Sequence, residues 1–167
     1  MLRIGPLSEE DPPLISAAFA AIGWDKPESQ YRRYLQEQDA AARDVFVARS
    51  DGALVGYVTV VWRSSYEPFA EAGIPEIQDL NVLPHARRQG AASALLDAAE
   101  ARIAARSDIA GIGVGLYPDY GAAQRLYVLR GYAPDGRGVA WRHRNVAPMD
   151  QVVVDDDLVL YFTRRLP

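Results

Sequence analysis

The segment "EIQDLNVLPHARRQGAASALL" begins as a strand and ends as a helix, with two arginines and a glycine at the junction. Residues 77–82 are β-rich, Pro84 stops that pattern, and an alanine-rich helical run starts at Ala91. A helix N-terminus has unpaired N–H groups and a partial positive charge, and a glycine-bearing loop before it lets amides converge on an anion. The junction therefore indicates either a phosphate site or an ordinary surface turn.

The remaining patterns predict an α/β chain in the order β-α-α-β-β-β-α-β-α-β-β. Two β-rich runs flank Ser50-Asp51-Gly52, a turn signal that predicts a hairpin. The strand, helix and strand of residues 77–116 predict a crossover that makes two parallel neighbours. Residues 64–73 have no regular pattern and are expected to form a loop.

Length and composition narrow the class of protein. A chain of 167 residues fits one domain, residues 1–167, with a core large enough to be stable. The formal charge of -4 argues against a nucleic-acid or acidic-lipid partner. The absence of cysteine excludes disulfides and a thiol nucleophile, and it agrees with a reducing cytoplasm. No apolar run approaches the roughly 20 residues of a membrane helix, so no membrane partner is expected.

Standard metal and nucleotide motifs do not fit the sequence. His85 and His143 are far apart and have no carboxylate at ligand spacing, so no metal site is expected. There is no G-x-x-x-x-G-K-[ST], which excludes a P-loop NTPase. The "GIGVG" of Gly111–Gly115 lies inside a predicted strand with the wrong spacing for a dinucleotide loop. Its glycines are expected to permit close backbone approach.

Two motifs together resemble those of the GCN5-related N-acetyltransferases, the GNAT family. The family's coenzyme-A loop follows an x-L-x-V strand and has the pattern [Q/R]-x-x-G-x-[G/A], with Arg87, Gly90 and Ala92 at the three fixed positions here. The segment "AAQRLYVLRGY" resembles the family's A-x-x-L-Y-x-x-x-G-[F/Y] helix end. Its matching residues are Ala123, Leu126, Tyr127, Gly131 and Tyr132.

The resemblance implies a fold and a reaction. The fold is a mixed, mostly antiparallel sheet with a splayed central parallel strand pair and helices on both faces. The reaction is direct acetyl transfer from acetyl-CoA to a primary amine of a small molecule or a protein, without a covalent enzyme intermediate or a metal. A non-catalytic acyl-CoA sensor with the same fold is the alternative. Other acyl donors and a homodimer are both compatible with the resemblance. The residues that it implies for coenzyme binding are Leu80, Val82, Arg87, Arg88, Gln89, Gly90, Ala91, Ala92 and Tyr120.

The resemblance also suggests catalytic residues. Tyr127 matches the tyrosine that stands near the sulfur, and we expect it to be the general acid. Glu76 is ranked as the general base above Asp79, since a catalytic glutamate stands at the corresponding place in one branch of the family. The two face opposite sides of a regular strand, although a bulge changes that parity. Tyr120 replaces a family asparagine, so that coenzyme contact is either lost or made by the hydroxyl.

Aromatic residues of the first two predicted helices have two readings. Trp24, Tyr31 and Tyr34 lie on or near these helices, which wall the acceptor site in the family. They either shape an acceptor pocket or belong to the core. The run Asp155–Asp157 is interpreted as a solvated turn before the last strand.

Overall fold

The computed structural model describes all 167 residues and divides into two compact units. The first unit comprises Met1–Val61 and Gln78–Arg102, and the second comprises Trp62–Ile77 and Ile103–Pro167. None of the helices combines the length and the hydropathy needed to cross a bilayer.

Five helices and eight strands make up the chain. The helices are α1 (Asp11–Ala20), α2 (Glu28–Asp39), α3 (Glu67–Ala72), α4 (Ala91–Ala104) and α5 (Gly121–Leu129). The strands are β1 (Leu2–Pro6), β2 (Arg43–Ser50), β3 (Ala53–Val61), β4 (Glu76–Val82), β5 (Ile109–Gly115), β6 (Ala133–Trp141), β7 (Arg144–Asn145) and β8 (Leu158–Arg165).

The predicted order is confirmed except at two places. The expected loop of residues 64–73 contains the short helix α3, which begins after Tyr66 and ends at Gly73 with a φ of 65°. Pro68 fits its first turn, where a missing N–H breaks no helical bond. The two-residue strand β7 pairs with the end of β6 and is too short to leave a periodic signal.

In the first unit, the strands follow the order β1-β2-β3-β4. The predicted β2–β3 hairpin is confirmed, and its turn residues Asp51 and Gly52 have φ values of 49° and 88°. Positive φ at both central residues matches the twist of the flanking strands. Helices α1 and α2 pack their apolar side chains into one buried cluster with these strands. Its members include Ile15, Phe19, Tyr31, Leu35, Val45, Val47, Tyr57 and Leu83.

In the second unit, the order is β4-β5-β8-β6-β7. Strands β4 and β5 pair in parallel at Glu76↔Gly111 and Ile77↔Ile112, whereas β8 pairs antiparallel with both β5 and β6. The prediction of a mixed, mostly antiparallel sheet with one central parallel pair is therefore confirmed.

The glycines of β5 make room for aromatic rings. A Cβ at Gly111 would overlap the ring of Phe69, and one at Gly115 would overlap the ring of Tyr120. The expectation of close approach was thus correct, but the groups that approach are side chains, not backbone. These contacts hold α3 and the residue before α5 against the strand.

Candidate functional site

The loop between β4 and α4 in the first unit has the backbone geometry of an anion cradle. Arg88 and Gly90 have φ values of 59° and 85°, and α4 begins at the next residue, Ala91. Ala94 N donates to Gly90 O at 3.0 Å, which closes the first turn of the helix. The first N–H groups of a helix have no carbonyl partner within it, and left-handed residues beside them make amides converge. The predicted residues Gly90, Ala91 and Ala92 therefore lie at the junction of this loop and the first turn of α4.

Two side chains of this loop, those of Arg87 and Gln89, form hydrogen bonds with backbone carbonyl groups nearby in the sequence. Arg87 Nε donates to Val82 O at 3.3 Å, and its guanidinium lies 5.7 Å from the ring centroid of Trp24. Gln89 Nε2 donates to His85 O at 2.9 Å. These contacts tie the loop to the end of β4. Arg88 is exposed and adds positive charge beside the helix N-terminus.

Strand β4 changes its backbone conformation at Asp79, which has a φ of 56°. A non-glycine residue with positive φ inside a strand interrupts the regular alternation of side chains. Strand β3 accommodates the change through Gly56, because a Cβ there would overlap Asn81 O and lie 3.1 Å from Val82 Cα. The regular conformation of strand β4 is therefore interrupted at Asp79, and a bulge in this strand stays a prediction. The predicted Leu80 and Val82 follow Asp79 as half-buried residues.

The Asp79 carboxylate is surrounded by hydrogen-bond donors from α2, β3, its own strand and the loop before α2. Its side chain is 20% exposed. Buried carboxylates are stabilised by such donors, because each bond offsets part of the lost hydration. The donors are Lys26 Nζ at 3.2 Å, Gln30 Nε2 at 2.9 Å, Tyr34 OH at 2.9 Å, Tyr57 OH at 3.1 Å and Asn81 Nδ2 at 2.9 Å.

Burial keeps the tyrosines of this network in their neutral form. Burial first, and then the nearby Asp79 carboxylate, raise the pKa of Tyr34 and of Tyr57 well above the ordinary tyrosine value. Tyr31 donates to Tyr57 OH at 3.0 Å, and burial raises its pKa as well. Both tyrosines belong to the buried cluster, and Tyr34 also donates to the Asp79 carboxylate, while the acceptor-pocket reading stays a prediction.

Glu76, the predicted base, lies in the second unit in a buried polar cluster. Its side chain is 4% exposed and accepts a hydrogen bond from Ser64 Oγ. Burial, followed by the Glu76 carboxylate, raises the pKa of Tyr161. The Tyr161 ring stacks on Tyr66 at 3.8 Å, and its hydroxyl lies 3.1 Å from His143 Nδ1. Glu76 is therefore held in a buried polar environment in which the Ser64 hydroxyl donates to its carboxylate.

Tyr127, the predicted acid, lies near the end of α5 and is 5% exposed. The helix end is fixed by Tyr132 N donating to Tyr127 O and Gly131 N donating to Val128 O, both at 3.0 Å. Gly131 has a φ of 89°, as this type of helix termination requires. Burial raises the pKa of Tyr127, so the phenol stays protonated at neutral pH and can donate a hydrogen bond.

Tyr120, at the place of the family asparagine, uses its hydroxyl within the protein. It donates to Asp156 Oδ1 at 2.8 Å, and Tyr117 OH donates to the same oxygen. Burial and then Asp156 raise the pKa of Tyr120. Trp141 Nε1 donates to Asp155 at 3.1 Å. The acidic run is thus more than a solvated turn, since two of its carboxylates hold aromatic side chains.

The Asp79 network is the main feature that sequence reasoning missed. Its donors lie up to 53 residues from Asp79 in the chain, and no spacing rule connects them. The one available signal was Asp79 itself, a carboxylate on a strand that was suspected of a bulge. No group of three or more His, Asp or Glu side chains has the arrangement of a metal site.

The chain resembles known acetyltransferases in sequence and in fold. The model of the acetyltransferase (GNAT) family matches residues 10–132 of the 167. No curated protein sequence matches the chain. An N-acetyltransferase from Staphylococcus aureus Mu50 is similar with a TM-score of 0.74 and 15% identity, covering 100% of this chain and 99% of that one.

Two further solved structures have the same fold. Ribosomal-protein-alanine N-acetyltransferase from Brucella melitensis has a TM-score of 0.71 and 19% identity, covering 98% of this chain and 99% of its own. A proposed acetyltransferase from Salmonella typhimurium, solved with its cofactor acetyl-CoA, has a TM-score of 0.71 and 14% identity, covering 99% and 94%. At these identities the likeness shows the fold alone.

Proposed function

Because the chain belongs to the GNAT acetyltransferase family, we propose that it is an acetyl-CoA-dependent N-acetyltransferase that acts on a primary amine. The observation that carries this proposal is the loop before α4, where positive φ at Arg88 and Gly90 precedes a helix N-terminus. Amides of residues 88–92 would bind the pyrophosphate, and the Arg88 side chain would add charge. The pantetheine arm would pair with backbone groups of Leu80 and Val82.

The donor set fits the chemistry of coenzyme A. Its pyrophosphate is an anion that needs converging N–H groups, and the small side chains of Gly90, Ala91 and Ala92 leave the backbone accessible. No atom lies within 4 Å of the position that a Cβ would take at Gly90. Arg87 and Gln89 have their side chains engaged within the loop, so we assign them mainly to its conformation. Tyr120 contributes its ring rather than a hydroxyl that already donates to Asp156.

Direct transfer requires a deprotonated amine, a stabilised oxyanion and a stabilised thiolate. We assign the oxyanion donor to a backbone N–H of β4, with Val82 as the candidate. Tyr127 is the candidate acid, because its protonated phenol can donate to the departing sulfur. The departing thiolate, whose thiol has a pKa of about 8.5, is a weaker base than a buried phenolate. Tyr127 would act first through hydrogen bonding, with the final proton supplied through it or by solvent.

Two carboxylates are candidates for the proton acceptor. Glu76 was ranked first and is ordered by Ser64, whereas Asp79 already contacts an ammonium group. The proposal keeps both, and single substitutions to the amide separate them. Substitution of the carboxylate that accepts the proton should lower turnover with an amine more than it lowers acetyl-CoA affinity.

The deciding experiment is calorimetric titration with acetyl-CoA and coenzyme A, followed by thiol-release assays with a panel of primary amines. Binding with thiol release that depends on the amine supports the proposal. Binding with no turnover for any amine would favour the sensor alternative. The absence of binding would contradict both. The reaction needs no metal because the thioester is already activated, and we expect it in the cytoplasm.

A further inference from the structure

The single lysine of the chain pairs with Asp79, a carboxylate of the first unit that accepts hydrogen bonds from five groups. The protein has 18 lysine and arginine residues, and Lys26 is the one lysine among them. It lies in the segment between α1 and α2, and its Nζ is 3.2 Å from Asp79 Oδ1. The side chains of the pair are 21% and 20% exposed. Lysines usually extend into water, so this partly buried position is a specific one.

The rest of the network holds the carboxylate in place. Asp79 Oδ2 accepts from Gln30, Tyr34 and Tyr57, while Oδ1 accepts from Asn81 and Lys26. The four other donors are neutral amides and phenols. Rotation of the carboxylate would break several bonds at once, so the oxygen that faces Lys26 is fixed in direction. Lys26 is the cationic member of this set.

We propose that Lys26 is a self-acetylation site, with Asp79 as the proton acceptor. The inference rests on the proposed function, since the acetyl donor is acetyl-CoA bound along β4. Asp79 immediately precedes Leu80, whose backbone is proposed to bind the pantetheine arm. The carboxylate that holds the ammonium is therefore the sequence neighbour of a residue on the proposed path of the donor. Arginine cannot replace lysine in this role, because its guanidinium stays protonated in proteins.

The step balances without another reactant. The Lys26 ammonium gives a proton to Asp79, which passes it to water. The nitrogen lone pair then forms a bond to the acetyl carbonyl carbon, and the carbon–sulfur bond breaks. The nitrogen then loses a second proton, and the sulfur, which leaves with the electron pair of the broken bond, takes up one proton. The products are acetyl-Lys26, coenzyme A and one proton released to solvent.

Acetylation would change the electrostatics of the network. It removes the charge of Lys26 and leaves an amide that cannot form an ion pair. Asp79 would lose its cationic partner while it keeps its neutral donors. The carboxylate would then be available to the ammonium group of another molecule.

Mass spectrometry of the whole protein tests the inference. The full chain is incubated with acetyl-CoA and no amine, and acetyl groups are located by peptide mapping. The sequence contains two amines, Lys26 and the α-amine of Met1, which pairs with the exposed Asp51 at the surface and reports uncatalysed acylation. Acetylation of Lys26 should exceed that of Met1 by at least about tenfold, since a positioned proton acceptor contributes about 10²–10⁴ in rate. The rate should not depend on protein concentration, because the step is intramolecular.

Matched variants and a second reagent separate catalysis from simple exposure. Lys26→Arg keeps the cation and should remove the modification. Asp79→Asn keeps the lysine and should lower its rate to that of Met1. An N-hydroxysuccinimide acetate, which needs no coenzyme site, should modify the exposed Met1 amine faster than Lys26. The preference for Lys26 should therefore appear with acetyl-CoA and reverse with the ester, and this reversal remains measurable even if Asp79→Asn fails to fold.

The outcomes distinguish this inference from the proposed function. If the protein binds acetyl-CoA and acetylates an added amine while Lys26 stays unmodified or merely follows Met1, the inference is overturned and the function stands. If calorimetry shows no acetyl-CoA binding, the proposed function fails and the inference fails with it. A concentration-dependent rate would show transfer between molecules and would also overturn the intramolecular step.

Discussion

Replacing Gly90 by alanine tests the anion loop most directly. Gly90 has a φ of 85°, and no atom lies within 4 Å of the position that a new Cβ would take. The substitution therefore acts through backbone conformation and not through a clash. A left-handed conformation costs an L-residue about 1–2 kcal/mol relative to glycine. We expect the free energy of unfolding to fall by about that amount, unless the loop relaxes to a negative φ.

Relaxation of the loop would be visible in coenzyme affinity. The amides that follow Gly90 would no longer converge on one point, so at least one N–H bond to the pyrophosphate would be lost. A hydrogen bond to a charged group contributes about 1.5–3 kcal/mol. Since 1.4 kcal/mol is a factor of ten in affinity, the dissociation constant for coenzyme A should rise about tenfold to a hundredfold.

Gly52 offers a matched control for this variant. It has a φ of 88°, open space at its Cβ position and a place in the β2–β3 turn. Gly52→Ala should lose similar stability in urea unfolding but leave the calorimetric affinity for coenzyme A unchanged. Acetyl-pantetheine, which lacks the pyrophosphate, should bind the Gly90→Ala and wild-type proteins equally. Unchanged coenzyme A affinity together with unchanged stability in Gly90→Ala, or an equal loss of affinity for acetyl-pantetheine, would refute the assignment of the loop.

Three further predictions concern catalysis, packing and pH. In the thiol-release assay, Tyr127→Phe should lower turnover about a hundredfold or more with little change in acetyl-CoA affinity. Tyr132→Phe, which changes the adjacent ring, should keep the turnover of the wild-type protein. Gly56→Ala should cost about 1–3 kcal/mol in urea unfolding because its Cβ meets backbone of β4, whereas Gly5→Ala, with open space around it, should not. Burial and then Asp79 raise the pKa of Tyr57, so the unfolded chain loses that proton first. The contribution of Tyr57 to stability should be fully present below about pH 10 and be lost above it, so that stability falls less steeply above this pH in Tyr57→Phe.

The features that the sequence could predict are those with local causes. The Asp51-Gly52 turn and the glycine that ends α5 each follow from a requirement for positive φ at one position. The loop before α4 follows from proline, glycine and small residues in a fixed order. The family resemblance used the same local segments, so it located Gly90 and Tyr127 in the places where the structure has them.

The features that escaped prediction depend on residues that are distant in the chain. Tyr120 was considered as a coenzyme contact, and its bond to Asp156, 36 residues away, could not be read from either segment. Helix α3 has six residues, too few for a helical period, and its stability depends on burial of Phe69. In both cases tertiary contacts decide the role of the residue.

Strand β4 shows why the identity of the proton acceptor could not be derived from alternation alone. Glu76 and Asp79 are three residues apart, and an unbroken strand would present them to opposite faces. The positive φ of Asp79 interrupts that rule, and Gly56 on β3 makes the interruption sterically acceptable. The same backbone feature directs Asp79 toward five donors, one of them an ammonium, while Glu76 remains 4% exposed beside Ser64. A proton acceptor must contact the group that carries the proton. The contacts of the first unit therefore favour Asp79 as the acceptor for any ammonium group that takes the place of Lys26. Glu76 as the general base stays a prediction, which substitution of each carboxylate by its amide would test.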